Sequence, residues 1–136
     1  ALAVLMPIVA SMGGNAGTQT LTITVRSLAT QEISALNAAR VVYRELGIGL
    51  LNGILFAFVT GAIGMVWFRD TTLGVVLAAA MIVNLIVAAL AGILTPLGLD
   101  RAGIDPAIAS SVFVTTVTDV VGFLAFLGFA TLFLLN

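Results

Sequence analysis

The chain has 136 residues, of which 61% are hydrophobic and 8% charged, against a usual charged share of roughly 25% in soluble domains. That composition belongs in a membrane, and a net charge of −1 with no lysine excludes a nucleic-acid surface, which needs clustered cations. With no cysteine or histidine, disulfides, thiolate chemistry and imidazole ligands are excluded, so any metal site must be built from oxygen and take hard cations.

Taken in order, the chain predicts an all-α polytopic membrane domain with four spans, at about residues 1–28, 46–68, 72–97 and 106–135. It opens inside an apolar run without an initiator methionine or a basic leader, and so reads as part of a longer protein. The first span turns polar at Ser11-Met-Gly-Gly-Asn-Ala-Gly-Thr-Gln-Thr. Ser11, Gly14, Thr18 and Thr22 recur at helical spacing and form one small polar stripe, with Asn15 and Gln19 close by. Gly13 and Gly17 make a GxxxG pair suited to close helix packing. The glycine-rich run also permits local unwinding where backbone lines a cavity.

Residues 29–45 read as an amphipathic connector lying on the membrane surface. Arg26, Arg40 and Arg44 gather around it, whereas the loop at Arg69 and Asp70 has a single arginine. The positive-inside bias therefore puts the connector in the cytoplasm and the C-terminus outside it. In the second span Gly49, Gly53, Ala57 and Gly61 recur every fourth residue and predict a packing groove, with Trp67 at the outer interface. The third span carries Asn84 near its centre, more in keeping with an interhelical hydrogen-bond donor than with a pore residue, and is expected to end at Pro96 and Gly98. Asp105 and Pro106 read as the N-cap and first residue of the fourth span.

Within that last span Asp119 is the only charge between Ala107 and Leu135. A carboxylate at mid-membrane costs about 2.5–3.5 kcal/mol on insertion scales and so marks an interior or a water-filled path. Ser111, Thr115, Asp119 and Gly122 share a face. All five arginines lie outside the apolar centres, which leaves a mobile cation to neutralise Asp119; the alternative is a protonated or hydrogen-bonded structural group. One carboxylate cannot cage a divalent ion, but Mg²⁺ keeps much of its water, and a twofold dimer would bring two copies of Asp119. Hydroxyls, amides and carbonyls around Gly14 would accept bonds from the ion's waters.

The stretch Pro7-Ile-Val-Ala-Ser-Met-Gly-Gly-Asn-Ala-Gly-Thr-Gln, with Thr116-Val-Thr-Asp-Val-Val-Gly-Phe-Leu, resembles the membrane domain of the MgtE family of magnesium channels and transporters. The resemblance implies five helices per subunit in a homodimeric pore in the cell (inner) membrane, of which this chain would supply the second to fifth. It also implies preceding cytosolic domains that sense Mg²⁺. It assigns the ion site to Asp119, with the Thr115 carbonyl one turn earlier, and Gly14, Asn15, Thr18, Thr22 and Gly122 to positions that line or shape the pore. Thr18 stands where relatives often have asparagine. Mg²⁺ is the expected cargo, with Mn²⁺ and Co²⁺ as further candidates. Two other readings stay open, a cation- or proton-coupled carrier and a non-conducting assembly subunit; no catalytic constellation is visible.

Overall fold

The computed structural model describes residues 2–33, 37–107 and 110–135, so residues 34–36 of the expected connector and 108–109 of the expected last span lie outside it. Four α-helices are present: α1 (Leu2–Ala29), α2 (Ala38–Phe68), α3 (Thr71–Arg101) and α4 (Ser110–Phe133). Three of them are long and apolar enough to cross a membrane, namely α2, α3 and the 111–133 stretch of α4. At 1.5 Å per residue α1 is about 42 Å long, and the polar residues of its middle set it apart from the other three.

α1 runs unbroken through residues 13–19, so the unwinding that the glycines allow does not occur. Burial explains this: Gly13 and Gly17 are needed inside, where their missing side chains admit neighbouring helices. The helix ends where Gln31 adopts a left-handed φ of 62° and the Glu32 N–H reaches back to the Ser27 carbonyl at 2.8 Å. The Asn37 amide then donates to the Glu32 carbonyl at 2.9 Å, closing the connection.

α2 begins at Ala38, so the second half of the expected surface connector is helix continuous with the span. Its polar residues Arg40, Arg44 and Glu45 sit on the first turns of a 31-residue helix, about 46 Å long, which exceeds a hydrocarbon core of about 30 Å. Only two residues join α2 to α3. Arg69 takes a left-handed conformation (φ 52°, ψ 38°), and Asp70 caps α3 by accepting the Leu73 N–H at 3.1 Å.

α3 passes through Pro96 and ends at Arg101, beyond the expected stop. Proline removes one rung of the helical ladder, yet Ile93, Pro96 and Leu97 are all buried, and that burial overrides local propensity. The turn that follows carries Gly103 at φ 77°. Nor does Asp105 cap a helix at Pro106. Its carboxylate accepts the Ala107 N–H two residues on, at 3.0 Å, which holds a turn, and α4 starts at Ser110.

α3 is the central element: α2 packs on it, and α1 and α4 pack on it and on each other. The α2–α3 contact is the groove expected from the four-residue spacing. A Cβ on Gly53 would lie 3.1 Å from the Ile82 Cα, and one on Gly61 would lie 3.0 Å from the Gly74 carbonyl. At one end of the bundle, where α1 and α3 begin and α2 and α4 end, Leu5, Leu77, Met81, Phe126 and Ala130 form the apolar core. The opposite face of α2, with Leu51, Phe58 and Val66, is exposed and suits lipid.

Candidate cation site on the α1–α4 seam

Helical periodicity splits α1 into two faces. Val9, Gly13, Gly17, Leu21 and Thr24 are buried, while Ser11, Asn15, Thr18 and Thr22 are exposed and Gly14 is half-buried at the boundary. α4 meets this boundary through Thr118, whose hydroxyl oxygen is 3.9 Å from where Gly14 would carry a Cβ. Asp119 follows directly in the chain and is half-buried, with Thr115 exposed one turn earlier. Ser11, Gly14, Asn15, Thr18 and Thr22 thus lie on or beside the exposed face of α1 next to the Gly14–Thr118 contact, and on α4 Asp119 adjoins Thr118 in the chain. Gln19 belongs elsewhere, in a cleft of about 210 Å³ between α1 and α2 that Arg44, Glu45 and Asn52 also line.

Hydroxyl chemistry on this face is one-sided. Thr22 donates to the Thr18 carbonyl at 2.9 Å, and Thr116 to the Val112 carbonyl at 2.8 Å. Thr118 donates to the Thr115 carbonyl at 3.0 Å. Thr118 is fully buried, whereas the exposed Thr22 and Thr116 hydroxyls, their single protons committed to the helix, have only lone pairs to offer a visitor. Water bound to a cation points its protons outward, so such a surface complements a hydrated cation.

Among the described residues no three acidic, histidine or cysteine side chains come together, so a single chain holds no protein cage for a metal. Positive charge is kept to the helix ends: Arg26 and Arg101 lie in the last turns of α1 and α3, and Arg69 at the C-cap of α2. Arg40 and Arg44 flank a cleft of about 380 Å³ beside Ser27 and Ile93, near the ends where Arg26 and Arg101 lie.

Gly122 sits away from the open face. It is buried, and a Cβ there would lie 2.9 Å from the Asn84 amide nitrogen and 3.5 Å from the Ala10 Cα. Asn84 itself is fully buried at the junction of α1, α3 and α4, and its amide donates to the Val9 carbonyl at 2.8 Å. The interhelical donor expected at this position is thus present, but its setting was not legible. Gly13 also yields to it, since a Cβ on Gly13 would overlap the Asn84 amide. Among the described residues the Asn84 carbonyl oxygen finds no hydrogen-bond donor, a cost of about 1–3 kcal/mol for a buried acceptor.

Fold and site together define a helical membrane protein whose last span carries an acid beside a stripe of oxygen acceptors. The chain belongs to the MgtE family: the family's sequence pattern, described as a divalent cation transporter, matches residues 6–129. The chain is 33% identical over 134 residues to the magnesium transporter MgtE of Bacillus subtilis. It is 36% identical over 133 residues to that of Enterococcus faecalis and 36% over 135 residues to that of Thermus thermophilus. Each alignment covers 98% of this chain and 29–30% of the relative, so the chain spans about three tenths of their length. The family is one of ion transporters rather than enzymes.

Proposed function

We propose that the chain forms one half of a homodimeric membrane pore that passes hydrated Mg²⁺ down its electrochemical gradient, with Asp119 of each copy holding the ion. The observation that carries this reading is that Asp119 is half-buried next in the chain to Thr118, whose hydroxyl faces Gly14 at the border of the polar face of α1. Each copy brings one carboxylate, and Mg²⁺ commonly meets one or two carboxylates while keeping several waters. The Asn15 amide would take bonds from those waters, and the Thr115 carbonyl would do so in exchange for the Thr118 hydroxyl it now accepts, with Ser11, Thr18 and Thr22 extending the path along α1. The names of the relatives, all magnesium transporters, support Mg²⁺ as the cargo; Mn²⁺ and Co²⁺ are further candidates on charge and size alone. α1 would then cross the membrane as well as α2, α3 and α4, its polar stripe turned to the pore rather than to lipid.

Orientation follows from charge. Arg26, Arg40, Arg44 and Arg101 near one end of the bundle, against Arg69 at the other, favour the cytoplasm for the first end. The C-terminus of α4 would then face away from it, in the cell membrane. The much greater length of the relatives supports preceding cytosolic domains that sense Mg²⁺.

A divalent cation falling through 100 mV gains about 4.6 kcal/mol, at about 2.3 per charge, so coupling to a second ion is unnecessary. A coupled carrier would share the intramembrane carboxylate but is also expected to use broken helices, and α1 is continuous. Single-channel recording of the full protein in bilayers, with Mg²⁺ as the only permeant ion, tests the reading. Discrete unitary currents are expected; uptake without them would replace the pore with a carrier.

A further inference from the structure

Among the described residues three polar ones are buried in the bundle: Thr24, Asn84 and Thr118. The two threonines satisfy themselves within their own helices, on the carbonyls of Thr20 and Thr115. Asn84 alone reaches across, from α3 to the Val9 carbonyl of α1. Its amide occupies the space left by two missing side chains on two helices, Gly13 of α1 and Gly122 of α4. Both glycines adjoin the candidate ion site: Gly13 precedes Gly14, and Gly122 lies one turn after Asp119.

We infer that Asn84 is a positioning residue, a spacer that sets the separation between the polar face of α1 and Asp119 of α4 while touching neither the ion nor its path. This rests on the reading of Asp119 as the ion site. The two sides of the spacer are unequal. On α1 the amide is held by a hydrogen bond, whereas on α4 it lies where a Gly122 side chain would begin, so the position of α4 depends on the size of the side chain at 84. Packing alone does not account for the residue, because an apolar side chain would fill the space without leaving a buried carbonyl oxygen unpaired.

The test uses the full protein in proteoliposomes, with Asn84→Ala, Gly122→Ala, the double variant and Asp119→Asn. Mg²⁺ uptake gives the half-saturation concentration. Spin labels on cysteines introduced at the exposed positions Ile8 and Leu124 give the α1–α4 distance. Each single alanine variant is expected to shift that distance and to raise the half-saturation concentration about tenfold, the effect of a modest misplacement of one carboxylate. In the double variant the new methyl group takes up space that the amide vacated, and both readouts are expected to return toward wild type. Folded Asn84→Ala protein with wild-type distance and half-saturation, and only a lower melting temperature, overturns the proposal. So does a double variant whose defects simply add. If Asn84→Ala does not fold, Asn84→Ser replaces it and the same criteria apply. Saturable Mg²⁺ uptake that survives Asp119→Asn removes the ion-site reading, and in that event the label distance alone supports or overturns the spacer.

Discussion

The carbonyl of Gly17 on α1 lies 2.7 Å from the point where Gly92 of α3 would carry a Cβ, so the two helices cross backbone against backbone. A Cβ on Gly92 would also come within 2.8 Å of the Thr20 Cβ. Gly92→Val should therefore push α1 off α3 at a cost of about 1–3 kcal/mol, the usual range for overpacking. Thermal melting of the detergent-purified protein checks this, and an unchanged melting temperature would remove the crossing from the fold's essential contacts.

The α2 groove makes a comparative prediction. Gly53→Leu and Ala57→Leu should lower stability or assembly without altering ion chemistry, since Gly53 abuts the α3 backbone at Ile82 and Ala57 is buried. Gly128 has no atom within 4 Å of a Cβ position, and Gly128→Ala should leave stability unchanged or raise it by about 0.5–1 kcal/mol through lower backbone entropy. Equal effects at Gly53 and Gly128 would contradict the packing assignment.

At the cap of α3, Asp70→Ala removes the acceptor of the Leu73 N–H and should cost about 1 kcal/mol. Faster hydrogen exchange confined to the first turn of α3 is the expected signature, and Asp70→Asn should restore most of the protection.

Gly14→Val separates site from scaffold. Because a Cβ at Gly14 would meet only the Thr118 hydroxyl at 3.9 Å, the substitution is tolerated by the packing within the subunit. Its bulk is expected to narrow the seam instead, depressing Mg²⁺ flux in protein that melts normally. Wild-type conductance in that variant would detach Gly14 from the path.

Asp119→Asn exchanges charge for an amide of nearly equal volume. A net attraction of about 1.4 kcal/mol per carboxylate corresponds to a tenfold change in site occupancy, and two copies to about a hundredfold. The variant should keep its fold and lose saturable Mg²⁺ uptake and selectivity over Na⁺. Retention of both in Asp119→Asn would make Asp119 a packing group and end the pore reading.

Where the sequence read well, the cause was a repeated local pattern. Gly49, Gly53, Ala57 and Gly61 recur at one helical interval, and such a repeat can face only one neighbour. The helix ends read less well because tertiary burial outweighed local signals at Pro96, and because the carboxylate of Asp105 made a turn where a cap was expected. Asn84 shows the limit of a one-dimensional reading. A lone amide in an apolar helix signals a hydrogen bond, but its fit against Gly13 and Gly122 depends on three helices meeting from distant parts of the chain. For the site, the acid and the small polar stripe were visible as a charge and a periodicity, whereas the inward commitment of the Thr22 and Thr116 hydroxyl protons required coordinates.

The two-residue link at Arg69 and Asp70 bears on how the protein enters its membrane. A connection that short lets α2 and α3 zip together along their glycine groove as soon as both have left the ribosome, with no distant segment needed to cover it. The pair is then a single insertion parcel whose tip carries one cation and one anion side by side, so little net charge has to be dragged through the lipid. α1 and α4 have no such early partner in each other. Both pack on α3, so a hairpin formed early would already present the surface on which they dock.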